Sequence, residues 1–158
     1  KTRKNPVLLN QFILAQSHMS RFRDLDTTFQ EYLDIDKMAR FIALCDVMNA
    51  THGLIWHNQR NYLNPVNGIL EPVAYDCFSG KLSIHYELIG MASRWRDEND
   101  FTSFDALFLN QGFNKLYVKY LKAFSDKNYL KKTFLALDAE IQKYELRSVQ
   151  QSVRQEIR

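Results

Sequence analysis

Glycine and proline are scarce in this chain, at 5 and 3 of 158 residues. That shortage excludes a collagen-like or linker-rich chain and argues for long regular elements over an all-β, loop-rich fold. Cysteine is rarer still. Cys45 and Cys77 are the whole complement, so at most one internal disulfide is available and a disulfide framework is excluded. Both read as small buried apolar residues. Neither sign of charge dominates, because 21 basic against 18 acidic residues leave a net +3. This is too little, and too dispersed, to call for a nucleic-acid partner. No apolar run approaches the ~18 residues of a membrane span. The start, Lys1 to Pro6, is basic without the apolar stretch of a signal peptide, so it reads as mature or excised sequence and names no compartment. No period of ~20–50 residues marks a repeat array. Hydrophobic residues at 46% and aromatics at 13% supply a sizeable core, and the length suits a single domain over 1–158.

The order of elements follows from capping residues and apolar spacing. Asn5 caps a first helix with Pro6 at its first position, and Val7, Leu8, Phe12, Ile13 and Leu14 follow at helical steps. Arg21 to Thr28 reads as an extended or turn-like connection. A second helix starts at Asp34 or Asp36 and ends near Asn49. Its apolar residues Met38, Phe41, Ile42, Cys45, Val47 and Met48 cover more than one face, which predicts a buried central helix. After Gly53 the pattern changes to two short apolar runs, roughly Gln59–Leu63 and Ile69–Tyr75. The turn signal Asn64-Pro65-Val66-Asn67-Gly68 joins them, so the pair reads as a β-hairpin with Pro72 at an exposed edge or bulge. Met91 to Trp95 reads as a helical turn, followed by a charged stretch from Arg94 to Asp100. Ser103 is placed to cap a short helix over Phe104–Leu109. A further helix runs from about Phe113 to Phe124, with Lys115, Lys119 and Lys122 on a solvated face. Ser125 and Asp126 stop it and cap a long last helix. Leu130, Phe134, Leu137, Ile141 and Tyr144 stripe that helix, and it is expected to fray beyond Ser148. The predicted fold is mainly α with one central β-hairpin.

The chemistry concentrates around the hairpin. Asn58 lies just before its first strand and Asp76 just after its second, and antiparallel pairing brings those ends together. An amide oxygen and a carboxylate form a hard oxygen pair suited to Mg²⁺, which takes its other ligands from water and phosphates. Protein kinases hold their metal ions in a similar way, with a catalytic-loop Asn and a downstream Asp. The structural alternative is that Asn58 and Asp76 cap strand ends, since both residue types favour turns. His52 and His57 stand nearby, and histidine is the side chain suited to act as a base near neutral pH, though a helix-end histidine satisfied by local backbone is an equal alternative for His52. A zinc site would want more ligands at tighter spacing than these two histidines with His18 and His85 scattered elsewhere.

The runs Met38-Ala39-Arg40-Phe41-Ile42-Ala43-Leu44-Cys45-Asp46 and His52-Gly53-Leu54-Ile55-Trp56-His57-Asn58, continuing through Asn64-Pro65-Val66-Asn67-Gly68 to Tyr75-Asp76, resemble the spore coat protein H (CotH) kinase-like family. In that family an Asn opens a hairpin, an Asn-Pro-x-x-Gly-type turn joins its strands, and a metal-binding Asp closes it. The stretch from Asn110-Gln111-Gly112-Phe113 to Ser125-Asp126-Lys127-Asn128-Tyr129-Leu130 is similar as well. The resemblance implies the C-lobe of an atypical protein-kinase-like fold, with Asn58 and Asp76 as metal ligands and Mg²⁺ and ATP as cofactors of an intact parent. It also implies a protein substrate or partner. Active members carry an Asp ahead of the Asn; here the neighbourhood reads Ala50-Thr51-His52-Gly53, which leaves His52 as the candidate catalytic residue. A kinase also needs a Gly-rich loop and a strand Lys in an N-terminal lobe, and this sequence has no such loop. The chain therefore looks like a C-terminal lobe or a fragment of a longer protein, inactive by itself. The alternative is a non-catalytic pseudokinase or helical scaffold lobe that mediates protein–protein interaction.

Overall fold

A computed structural model describes residues 5–54, 56–77 and 102–156. The helical turn expected over Met91–Trp95, the charged stretch after it and His85 lie outside the described residues. So does the side chain of Trp56. The described chain is mostly helical with one two-stranded antiparallel hairpin, and it divides into two compact units, Lys1–Phe124 and Ser125–Arg158.

Helix α1 spans Pro6–Arg23. The Asn5 side chain accepts from the amides of Val7 and Leu8, and Pro6 fills the first position, where no amide partner is needed. The helix continues through Arg23, into the stretch whose polar sequence suggests a connection, because Phe22 is needed in the core. It ends with the Asp26 amide bonded to the Arg21 carbonyl at 3.0 Å and Leu25 at φ +60°. This is the left-handed residue that closes many helices, here without the usual glycine. Beyond it, Arg21 gathers Asp26 at 2.7 Å, Glu31 at 3.0 Å and the Thr28 hydroxyl at 2.6 Å, and lies over the Tyr32 ring. Burial pushes the Tyr32 hydroxyl up to about 12.

Helix α2 spans Ile35–Val47, with the Asp34 carboxylate accepting from the Lys37 amide at 3.0 Å. Met38, Ala39, Ile42, Ala43 and Cys45 are buried along it, as its broad apolar surface predicts, while Met48 is exposed just past its end. It closes in the same way as α1, with Asn49 at φ +52° and the Ala50 amide on the Cys45 carbonyl. Helix α3 covers Thr102–Phe108, so Ser103 lies inside it; the first helical residue is the boundary a cap rule fixes least well. Helix α4 covers Gln111–Phe124 and is capped by Asn110, whose side chain accepts from the Phe113 amide at 3.0 Å. It buries Phe113 and Tyr117 and exposes Lys115, Lys119 and Lys122. Two tyrosines tie it to α2: Tyr117 donates to Asp46 at 2.6 Å and Tyr120 to Asp36 at 2.8 Å. The core of this unit also takes in Phe29, Leu33, Leu54, Leu70, Phe104 and Leu107.

The hairpin joins β1, Arg60–Leu63, to β2, Leu70–Val73, with Tyr62 opposite Glu71 and Asn61 opposite Pro72. Gly68, at φ +70°, donates to the Asn64 carbonyl at 2.8 Å and closes the turn. The outer edge of β2 meets Leu33: the Leu70 amide donates to the Tyr32 carbonyl at 2.8 Å and the Leu70 carbonyl accepts from Asp34 at 2.9 Å. Because the groups alternate along a strand, Pro72 also faces outward. Its missing amide therefore removes no bond to β1, and β2 tolerates a proline. Lys37 reaches Glu71 at 2.8 Å and Asn64 donates to the same carboxylate, which holds Glu71 below the ordinary carboxylate range and fastens the hairpin to α2.

The second unit is a turn and a helix. Asp126 accepts from the Asn128 amide at 2.8 Å, and α5 then runs over Tyr129–Glu156. It passes the point where fraying is expected, because Gln, Glu and Arg are good helix formers and no glycine or proline interrupts them. Leu130, Phe134, Leu137, Ile141 and Tyr144 are exposed along it.

Candidate functional site

The residues before β1 are wound into two short 3₁₀ turns, Thr51–Leu54 and Trp56–Asn58. The first carries His52 and the second ends on Asn58, which is bonded back across the turns. The Asn58 Nδ2 donates to the His52 carbonyl at 3.0 Å and lies 3.1 Å from His52 Nδ1. Gln59 adds a bond to the Leu54 carbonyl at 3.0 Å. On the other strand, Asp76 follows β2 by three residues and takes φ +49°, a conformation Asp tolerates better than most residues. Extending the strand register beyond Arg60 and Val73 puts Asp76 level with His57 and Tyr75 level with Asn58.

The two ends of the hairpin meet at one atom. His52 Nδ1 is 3.3 Å from Asp76 Oδ2 and 3.3 Å from the Asp76 carbonyl, as well as 3.1 Å from Asn58 Nδ2. Asn58 is buried, at 7% exposure, whereas the side chains of His52 and Asp76 are each 44% exposed. The site is therefore a surface notch with a buried amide at its floor.

Only the NH₂ group of Asn58 can bond to the His52 carbonyl, which fixes which way the amide points. The same NH₂ faces His52 Nδ1, and so do the Asp76 carbonyl and carboxylate, so Nδ1 accepts from the amide in one tautomer and donates to Asp76 in the other. The Asp76 carboxylate has no other cationic partner within salt-bridge reach among the described residues, and it is the NH₂ of Asn58 that faces His52.

His57 stands edge-on to His52, with ring centroids 6.4 Å apart. Among the described residues no set of three or more His, Cys, Asp or Glu side chains converges as a ready-made metal cage. His18 is elsewhere, stacked on Tyr32 and within 3.1 Å of the Gly68 carbonyl through Nε2. Asp46, the carboxylate nearest upstream of His52, is turned to Tyr117 of α4.

The structure also shows a grouping that sequence spacing does not signal. Gly53 packs against the segment after Asp76 so closely that a Cβ there would lie 2.6 Å from Cys77 Sγ and 3.1 Å from the Tyr75 carbonyl. Cys77 Sγ lies 3.6 Å from the Tyr75 carbonyl, at the edge of the core that holds Cys45. Cys45 is buried and Cys77 half-buried. Comparison of the chain with protein-family models, with curated proteins and with solved structures found no match.

Proposed function

We propose that this chain is the C-terminal lobe of a CotH-type, atypical protein-kinase-like protein and contributes the metal-binding half of an ATP/Mg²⁺-dependent phosphoryl-transfer site. The observation that carries the reading is the convergence of Asn58 and Asp76 on His52 at the open end of the hairpin. A bound Mg²⁺ would bridge phosphate oxygens and neutralise the charge that develops on them. In this reading Asp76 would supply the negative charge and the Asn58 amide oxygen a neutral ligand, both from the open end of the hairpin. His52 turns Nδ1 toward both, which leaves Nε2 as its atom for orienting an acceptor. Phosphoryl transfer depends mostly on positioning and electrostatics, so without a phosphate-covering lobe this chain should bind ATP weakly and phosphorylate nothing.

A non-catalytic interaction lobe is the second reading. It is favoured by the exposed apolar residues of α1, where Val7, Phe12 and Ile13 are each more than half exposed. Asp76→Asn separates the two. The substitution keeps the shape and removes the charge a divalent cation needs. For a metal ligand, the variant of this chain should melt no lower than the unaltered chain. In a longer form carrying the nucleotide-covering lobe, Asp76→Asn should abolish Mg²⁺-dependent ATP binding. A stability loss of ~1 kcal/mol in this chain, with nucleotide binding intact in the longer form, would establish a structural cap instead.

A further inference from the structure

We propose that α5 pairs with α5 of a second copy of this chain as an antiparallel, two-stranded coiled coil. The unit that holds α5 is a turn and this single helix, so no second element of that unit can cover an apolar face. Leu130, Phe134, Leu137, Ile141 and Tyr144 are exposed along it, and they follow one another at alternating steps of four and three residues. A helix packed on a globular core carries a broader stripe; this strict seven-residue spacing is the narrow seam of a supercoiled pair. Helices in proteins owe most of their stability to what such a face packs against, so the exposed seam calls for a cover.

The charges beside the seam select the partner and its direction. Lys131 and Asp138 flank the seam on the same side, both exposed. Asp138 accepts a bond from Gln142 at 3.0 Å, yet neither charge has an opposite one three or four positions away on α5. Neither takes part in an ion pair among the described residues. An antiparallel copy centred between Leu135 and Ala136 sets Lys131 against the partner's Asp138, and Asp138 against the partner's Lys131. In the same register Leu130 meets the partner's Ile141, Phe134 meets the partner's Leu137, and Thr133 faces the partner's Glu140, so no like charges meet across these layers. Sliding the copy by one heptad sets Asp138 against the partner's Asp138. A parallel pair sets Asp138 against the partner's Thr133 and leaves Lys131 opposite a position before α5 begins. The two-fold arrangement makes each contact twice, as a dimer of identical chains requires. This pairing rests on α5 alone and holds whether or not the hairpin notch takes a metal.

Sedimentation equilibrium of the whole chain, from micromolar to high micromolar concentration, reads the association. The expected result is a reversible monomer–dimer equilibrium that Leu137→Asp, in the middle of the seam, shifts to monomer throughout. Lys131→Glu should weaken the dimer about tenfold or more, since both ion pairs become like-charge contacts. Adding Asp138→Lys to Lys131→Glu should restore the dimer, because the reversed charges again face each other across the two-fold axis. Should Leu137→Asp not fold, the two charge variants carry the test by themselves, since they alter exposed side chains only. A chain that stays monomeric at the highest concentration, a dimer that folded Leu137→Asp leaves unchanged, or a double variant no tighter than Lys131→Glu would each overturn the proposal.

Discussion

Leu25 occupies a left-handed conformation that a β-carbon resists, at φ +60° and with 43% of its surface exposed. Leu25→Gly should therefore stabilise the chain, by about 0.5–1 kcal/mol, since the relieved strain exceeds the modest burial lost. Chemical denaturation reads that gain directly. Gly53 is the opposite case. Gly53→Ala should cost roughly 1–3 kcal/mol through overpacking against Cys77 Sγ and the Tyr75 carbonyl. A smaller cost in a Cys77→Ala background would identify the sulfur as the obstacle, and an equal cost would move the blame to the carbonyl. Asp26 makes stability depend on pH. The Arg21 guanidinium, then the Thr28 amide and hydroxyl, hold its carboxyl at about 2, below its ordinary 3.8. A depressed value means that the folded state favours the ionised form. The stabilisation is complete above the ordinary value and disappears as pH falls toward about 2. The difference in melting temperature between the unaltered chain and Asp26→Asn, present near neutral pH, should close across that window.

Leu70 is where the elements of the first unit meet. Its side chain is 1% exposed, and its backbone joins β2 to the segment leading into α2. Leu70→Ala should cost about 2–5 kcal/mol, the range for a large buried aliphatic cut to a methyl, measured as a lower denaturation midpoint with an unchanged slope. The elements themselves were legible where local chemistry decides them. Asn5-Pro6 and Asp34 announce their helices, and Asn64 to Gly68 announces its turn, because a cap or a turn needs particular side chains at particular positions. Tertiary demand was less legible. The polar surroundings of Phe22 conceal that α1 must continue far enough to bury it, and α4 begins at Gln111, two residues before the apolar pattern suggests, because Asn110 caps it. The hairpin ends could be paired from the strand pattern, which is why Asn58 and Asp76 could be chosen in advance. His52 could be named as a candidate too, but not the place of its ring between them, since two 3₁₀ turns leave no periodic trace. The packing of Cys77 against Gly53 was hidden for the same reason: it depends on how one loop settles on another.

At the scale of the whole molecule, a helical unit built around α2 presents the open end of its hairpin as a notch with a buried amide, an exposed carboxylate and a histidine bridging them. We propose that this notch takes a divalent cation through Asn58 and Asp76. Manganese is the suitable probe, because it occupies Mg²⁺ sites and broadens the NMR signals of nearby nuclei. Titrated into the chain at low concentration, Mn²⁺ should broaden the resonances of His52, Asn58 and Asp76 first and leave Val66, at the far turn of the hairpin, sharp. Excess Mg²⁺ should restore the signals, and Asp76→Asn should abolish the effect. Broadening centred on another acidic cluster, such as Asp26 and Glu31, or broadening at the notch that persists in Asp76→Asn, would contradict the account.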